Sequence, residues 1–334
     1  MMNKKFFGKF DENDVFVYNI KSDNIEAEVL NMGAVLHSLK VRGKGGEFVD
    51  VIGGYNKVDG YINGIYKHGA IIGRCANRIS KGRLHIDENE YRLSINCHGN
   101  HLHGGFVGYH RKMWSVENYA DDTITLKIID PDGTEGYPGT VVAFVTYTVA
   151  EDSLYIDVEA TTDKPTIINI TNHSFFNLNG FDSHSIRNHY FKIYCENITL
   201  NDESNIPTGE IANISDTAYD FTVERKIPLP ANDIYDLNYY FNRKTMNIMA
   251  TAYSPDTNIM LSLYSDMPSM QFYTVENSLC YQPDKNGNKT EHNSWFCLEP
   301  QYAPDTPNHS NFMSNVVRPS EKYSHRIAYK FSNK

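Results

Sequence analysis

The chain has 334 residues, 40% of them hydrophobic and 22% charged, with a formal net charge of -10. That composition supplies a sizeable core and excludes a disordered or collagen-like chain. The acidic balance also argues against an extended contact with nucleic-acid phosphates as the main function. Aromatic residues are abundant, with 23 Tyr and 17 Phe, and such residues favour strands.

In chain order, the N-terminal stretch "MMNKKFFGKFDENDVF" has basic residues but neither an apolar h-region nor a small-residue cleavage site. No run approaches the roughly 20 apolar residues that a membrane span needs. Cys75, Cys97, Cys195, Cys280 and Cys297 are odd in number, scattered and without a Cys-x-x-Cys pair, so they read as reduced thiols of a cytoplasmic protein.

Period-two alternation then recurs to the C-terminus. "TITLKII" (123–129) places Ile124, Leu126 and Ile128 on one face, and "LYIDVEA" (154–160) sets Leu154, Ile156, Val158 and Ala160 against Tyr155, Asp157 and Glu159. "VVAFVTYTV", "FKIYCENITL", "NIMLSLY", "MQFYTVE" and "HRIAYKF" follow the same rule. Asp132-Gly133, Asn286-Gly287 and the Pro-rich "EPQYAPDTPNHS" punctuate them as turns. No helical stripe exceeds about two turns, and no linker or repeat divides the chain. The expectation is all-β: one antiparallel domain over residues 1–334, built of stacked sheets, with function in long connections and on a concave face.

"HGNHLHGG" (98–105) raises the question of a metal. After His103 the chain runs "GGFVGYHRKMW", with no carboxylate to complete a cupin-type set, and His-Glu-x-x-His is absent. No metal is expected. His98 and His101 read as turn or surface polar groups. His103 differs because Gly104-Gly105 follows it, and glycines admit a close approach of backbone or ligand.

Three other stretches share this polar character. "IIGRCANRISKGR" places Asn77 and Arg78 after a short apolar strand. In "TIINITNHSFFNLNG", alternation puts Asn169, Thr171 and His173 opposite Ile168 and Ile170. "WFCLEPQYAPD" points Trp295, Cys297, Glu299 and Gln301 one way. Glu299 there is a surface residue or a cleft base, and pattern alone favours the surface. Arg74, Lys81 and Arg83 could serve a phosphate but read more simply as a solvated loop.

Collected, Asn77, Arg78, His103, His173, Asp236, Gln271 and Glu299 offer one potential general base, imidazoles as potential acids, and neutral or cationic donors. With aromatics, such a set suits an uncharged polyol and general acid–base chemistry. No nucleophile elbow, phosphate loop or dinucleotide fingerprint is present.

The ordered stretches "LNMGAVLHSLKV", "DVIGGYNKVDGY", "IGRCANRISKGR", "NHLHGG", "DGTEGYPG", "TNHSFFNL", "IPTGE", "QFYT" and "FCLEPQYAPD" resemble the aldose 1-epimerase (galactose mutarotase) family over nearly the whole chain. The resemblance implies a β-supersandwich that interconverts α and β anomers of free aldoses such as galactose and glucose, without metal or cofactor. It implies His173 as general acid and Glu299 as general base, with Asn77, Arg78, His103, Ser174, Phe175, Asp236 and Gln271 holding the sugar. Two departures bear on sugar preference. Leu237 stands where the family usually has His, and Phe175 stands where it often has Tyr. Asp233 lies close enough to Asp236 to compete for its role. A hexose-6-phosphate epimerase and a non-catalytic sugar sensor are the rival readings. Neither nucleic acid nor membrane is an expected partner, and the chain is expected as a monomer or homodimer.

Overall fold

The computed structural model describes residues 4–228, 235–275, 283–288 and 293–334. A nine-stranded antiparallel sheet runs in the order Ser115–Tyr119, Thr123–Asp130, Val141–Ala150, Ser153–Thr162, Tyr323–Asn333, Ile259–Ser265, Asn247–Tyr253, Tyr190–Ile193, Arg225–Lys226. Its central strands follow the sequence pattern closely. Ile124, Leu126, Val145, Ile156 and Val158 are buried, while Phe144, Thr146, Asp157 and Glu159 alternate with them on the more open face.

Two five-stranded sheets complete the stack. The first is a meander from Lys4–Phe10 to Phe48–Asp50. Ala27, Val29 and Leu36 on its inner face share one core with Leu126, Val145 and Tyr147 of the large sheet, and the Tyr147 hydroxyl donates to the Ala34 carbonyl at 2.7 Å. The second is ordered Pro207–Asn213, Asn197–Asn201, Asp236–Tyr240, Ser269–Thr274, Phe296–Gln301. Phe191 of the large sheet packs on its Phe272 and Phe296 at ring distances of 5.2 and 4.9 Å. The architecture is the antiparallel, all-β stack expected from the sequence. Among the described residues the one α-helix is Val58–Asn63, and no helix is long and apolar enough to cross a membrane.

Three expectations change. "FKIYCENITL" is not one strand: Tyr190–Ile193 belongs to the large sheet and Asn197–Asn201 to the second small one. Burial of Cys195 in the bend between them continues the apolar pattern across the break, so periodicity alone cannot see it. "TIINITNHSFFNLNG" forms two-residue pairings, Thr166–Ile167 with Val316–Val317 and Thr171–Asn172 with Ile71–Ile72, and single bridges at Asn169 and Phe176 in place of one continuous strand. Its residues 166–178 are buried on both faces, so the polar ones are held by hydrogen bonds inside the protein.

Arg74 is the third. Its side chain is 0% exposed and pairs with Asp130 at 2.8 Å, while its other donors reach the carbonyls of Pro138 and Gly139 at 2.8 and 2.9 Å. Lys81 and Arg83 are exposed, as expected of a loop, but Arg74 is an internal strut. It ties the segment preceding Asn77 to the end of Thr123–Asp130 and to the loop after it. Arg74→Met is therefore expected to leave Lys112, among the described residues, as the only cation on the buried Asp130 carboxylate and the Pro138 and Gly139 carbonyls without this donor, and to lower unfolding stability in urea by about 3 kcal/mol. Lys81→Ala should stay within about 0.5 kcal/mol of the parent.

Candidate active site

Three strands of the second small sheet form one wall of the cavity. In its register Asn238 lies opposite Gln271, and Gln271 lies opposite Glu299. Because side chains alternate, Asp236, Gln271, Tyr273 and Glu299 reach the same cavity, while Phe272, Phe296 and Leu298 enter the core. Leu237 turns to the core edge with them. Its side chain is therefore not among those lining the cavity. Asp233 lies outside the described residues.

The opposite wall comes from two crossing loops. Arg78–Ile79 pairs with His101–Leu102. Beside that pairing, His103 N–H donates to the Asn77 carbonyl at 3.0 Å, and Asn77 N–H donates to His103 Nδ1 at 3.1 Å. Both residues have left-handed backbones, with φ of 63° and 52° for Asn77 and His103. Since Nδ1 accepts, the neutral ring carries its proton on Nε2. Burial first, and then the nearby Lys67 charge, hold His103 well below the ordinary imidazole range. Asn77 Oδ1 accepts from Arg78 N–H at 2.8 Å, which fixes where the guanidinium begins.

The other histidines of "HGNHLHGG" separate cleanly. His98 is exposed. His101 is fully buried between Tyr137, whose hydroxyl donates to Nε2 at 2.6 Å, and the Ser94 carbonyl, which accepts from Nδ1 at 2.8 Å. It is a satisfied structural histidine. The glycine pair admits protein, not ligand: a Cβ on Gly104 would strike the Gly73 carbonyl, and one on Gly105 the Glu135 carboxylate.

His173 and Phe175, two residues apart, form the floor. Their rings stack at 4.9 Å and 15°, above a cluster of Tyr66, Val275, Trp295 and Cys297. Ser174 does not line the cavity; its hydroxyl donates to Asn172 Oδ1 at 2.5 Å. Asn169 is also structural, accepting from Tyr302 N–H at 2.9 Å.

The cavity encloses about 190 Å³, less than the roughly 300–1,000 Å³ of drug-sized pockets. A monosaccharide suits that scale. At its centre His173 Nε2 faces Glu299 Oε2 at 3.5 Å. Glu299 is only 2% exposed, against the surface position that pattern alone favours, and Oε2 has no hydrogen-bond partner among the described residues. Burial, reinforced by the Asp236 charge, pushes this carboxyl well above its ordinary range. Burial and the Lys67 charge push His173 down to about 3. Both shifts favour the neutral forms, a carboxyl and an imidazole with one proton between them. Asp236 accepts from Gln271 Nε2 at 2.6 Å and lies 3.9 Å from Arg78, which holds two planar polar groups ready for hydroxyls.

His173, Cys297 and Glu299 place ligand-type atoms within 4.8 Å of one another. Cys297 approaches Nδ1 at 3.7 Å and Glu299 approaches Nε2, so a metal on either nitrogen would meet only one of the two.

The chain matches the family model for aldose 1-epimerase over residues 17–330. It belongs to the aldose 1-epimerase family. It is 34% identical over 320 residues to the galactose mutarotase of Rattus norvegicus, covering 94% of this chain and 93% of the relative. It is 30% identical over 316 residues to the aldose 1-epimerase of Escherichia coli K12, covering 91% of each. A solved aldose epimerase homologue from C. elegans superposes with a TM-score of 0.89 at 27% identity, covering 95% of this chain and 98% of that one. Galactose 1-epimerase from Lactobacillus acidophilus shares the fold, with a TM-score of 0.85 at 23% identity, and covers 100% and 99%.

All the residues that the aldose 1-epimerase resemblance marks, Ser174 excepted, line this one cavity. Lys67 also lines it and was not singled out from sequence. It sits in the irregular segment "GIYKHGA", where no period marks a face and a lysine is ordinarily taken for surface. Arg78→Lys is expected to lower kcat/KM about tenfold to a hundredfold, because an ammonium cannot reproduce the guanidinium fork. Wild-type kinetics in that variant would place Arg78 outside the site.

Proposed function

We propose that this cavity interconverts the α and β anomers of free aldohexoses such as galactose and glucose, with Glu299 as general base and His173 as general acid. The observation that carries this reading is the buried, unpartnered Glu299 oxygen 3.5 Å from His173 Nε2. A pure sugar sensor has no need of a desolvated carboxylate opposite an imidazole, whose burial is costly.

In the reactive form the shared proton lies on His173. Glu299 takes the proton of the C1 hydroxyl, the bond from C1 to the ring oxygen breaks, and His173 Nε2–H protonates that oxygen. The products are an open-chain aldehyde, a neutral carboxyl and a neutral imidazole. Rotation about C1–C2 and the reverse transfers close the ring on the other face. Burial favours the neutral pair, so opening the ring discharges two buried charges as it proceeds. Cys297 Sγ near Nδ1 accepts from that nitrogen while His173 is protonated. Asn77, Arg78, His103, Asp236 and Gln271 hold the hydroxyls, and Phe175 packs a C–H face. The scattered thiols fit a cytoplasmic setting.

Polarimetry of fresh α-galactose tests the roles. Glu299→Gln and His173→Asn are each expected to cut kcat by about 10²–10⁴, and the double variant should be little worse than the poorer single one. Fully multiplicative losses, or near-normal turnover by Glu299→Gln, would mean that the proton carriers are misassigned. The pH profile of kcat/KM should be bell-shaped because the pair must hold one proton. Burial sets the acid limb, carried by His173, below the ordinary His value of about 6.5 and the alkaline limb, carried by Glu299, above the ordinary Glu value of about 4.3, so the profile should be broader than two unperturbed groups would give. Activity should survive exhaustive chelation. Loss that zinc or manganese restores would overturn the acid–base account.

A further inference from the structure

Cys297 and Glu299 stand two residues apart in the strand Phe296–Gln301, so alternation turns both side chains to the same face. Together they meet both nitrogens of one ring. Glu299 Oε2 lies 3.5 Å from His173 Nε2, and Cys297 Sγ lies 3.7 Å from His173 Nδ1. All three side chains are buried, so no open solvent competes for either nitrogen.

The acid step dictates what Nδ1 must carry. A neutral imidazole has one N–H and one bare nitrogen, and only the charged ring has two N–H groups. If Nδ1 were bare when Nε2 released its proton, the ring would be left as an imidazolate anion, which a dry site cannot bear. Nδ1 therefore holds a proton before the transfer and keeps it afterwards. Whatever faces Nδ1 must accept in both states, because a buried N–H without an acceptor is costly.

The thiol fits that requirement. Its sulfur is a weak acceptor, and the N···S distance is of hydrogen-bond length. The ring's own carbonyl also bears on it, but that oxygen already accepts from Gly69 N–H at 2.9 Å. Phe175 covers a face of the ring and offers no acceptor. A carboxylate in the place of Cys297 would steady the imidazolium and blunt it as an acid. Burial, reinforced by the Glu299 and Asp236 charges, holds the Cys297 thiol well above its ordinary range, so it stays uncharged. A neutral sulfur orients the ring without that penalty.

We propose that Cys297 is a positioning residue whose sulfur keeps a proton on His173 Nδ1 in both states of the ring, so that Nε2 alone trades protons with Glu299 and the sugar. The inference rests on the anomer-interconversion reading of the same cavity. It adds a residue that touches neither the sugar nor the moving proton.

Nitrogen-15 NMR of the histidine-labelled protein reads the ring directly, with His173→Asn identifying its signals. At neutral pH the parent should show a protonated Nδ1. In Cys297→Ala part of the neutral ring should pass to the Nε2–H tautomer. By polarimetry that variant should lose about tenfold to a hundredfold in kcat, the cost of a buried donor left unpaired, with KM for galactose within about twofold of the parent. Cys297→Ser should fall between the two, since a hydroxyl also accepts but reaches less far. A bare Nδ1 in the parent overturns the proposal without any variant. So does a Cys297→Ala protein with parental kcat. A loss of kcat with the Nδ1 proton in place and Ser no better than Ala also overturns it, because the thiol would then act by packing alone. Failure of the anomer-interconversion reading looks different: the parent would not accelerate galactose mutarotation, or His173→Asn would keep near-normal turnover.

Discussion

A carboxylate and an imidazole, both taken out of water and facing each other across 3.5 Å, set the terms for everything around them. Neither group tolerates charge there unless the other is charged too, so one proton serves both. A buried pair of this kind holds its chemistry only if its spacing is rigid, because the interaction is steep in distance at low dielectric. The fold meets that demand by placing Glu299 within a strand buried along its whole length and tying His173 to the Gly69–Ala70 segment by its own backbone.

Rigidity is passed outward in layers. Gln301 donates to Gln271 at 3.4 Å and Gln271 to Asp236 at 2.6 Å, so the polar wall is a linked row along one sheet face. The opposite wall depends on the mutual bonds of Asn77 and His103. That loop is anchored in turn by Arg74, whose guanidinium is saturated by Asp130 and loop carbonyls. Beneath the floor, Phe175 and Trp295 exclude water and keep the His173 ring flat against an apolar surface. Dryness and order in the site thus come from the same packing that stabilises the sheets.

Much of this was legible in the sequence. Alternation in "TITLKII", "VVAFVTYTV" and "LYIDVEA" gives the strands and their inner faces, because a strand half-buried in a sheet must repeat every two residues. The same rule aligned Glu299 with Cys297 and Gln301, and the resemblance marked His173, Asn77, Arg78, His103, Asp236 and Gln271. Tertiary structure decided what depends on neighbours distant in sequence. It buried Glu299, turned Ser174 and Leu237 away from the cavity, made His101 and Arg74 structural, and sent "FKIYCENITL" into two sheets. It also brought Lys67 from an unpatterned loop to the acid–base pair. Period and motif report local geometry; burial, partnership and charge balance exist only once the sheets have stacked.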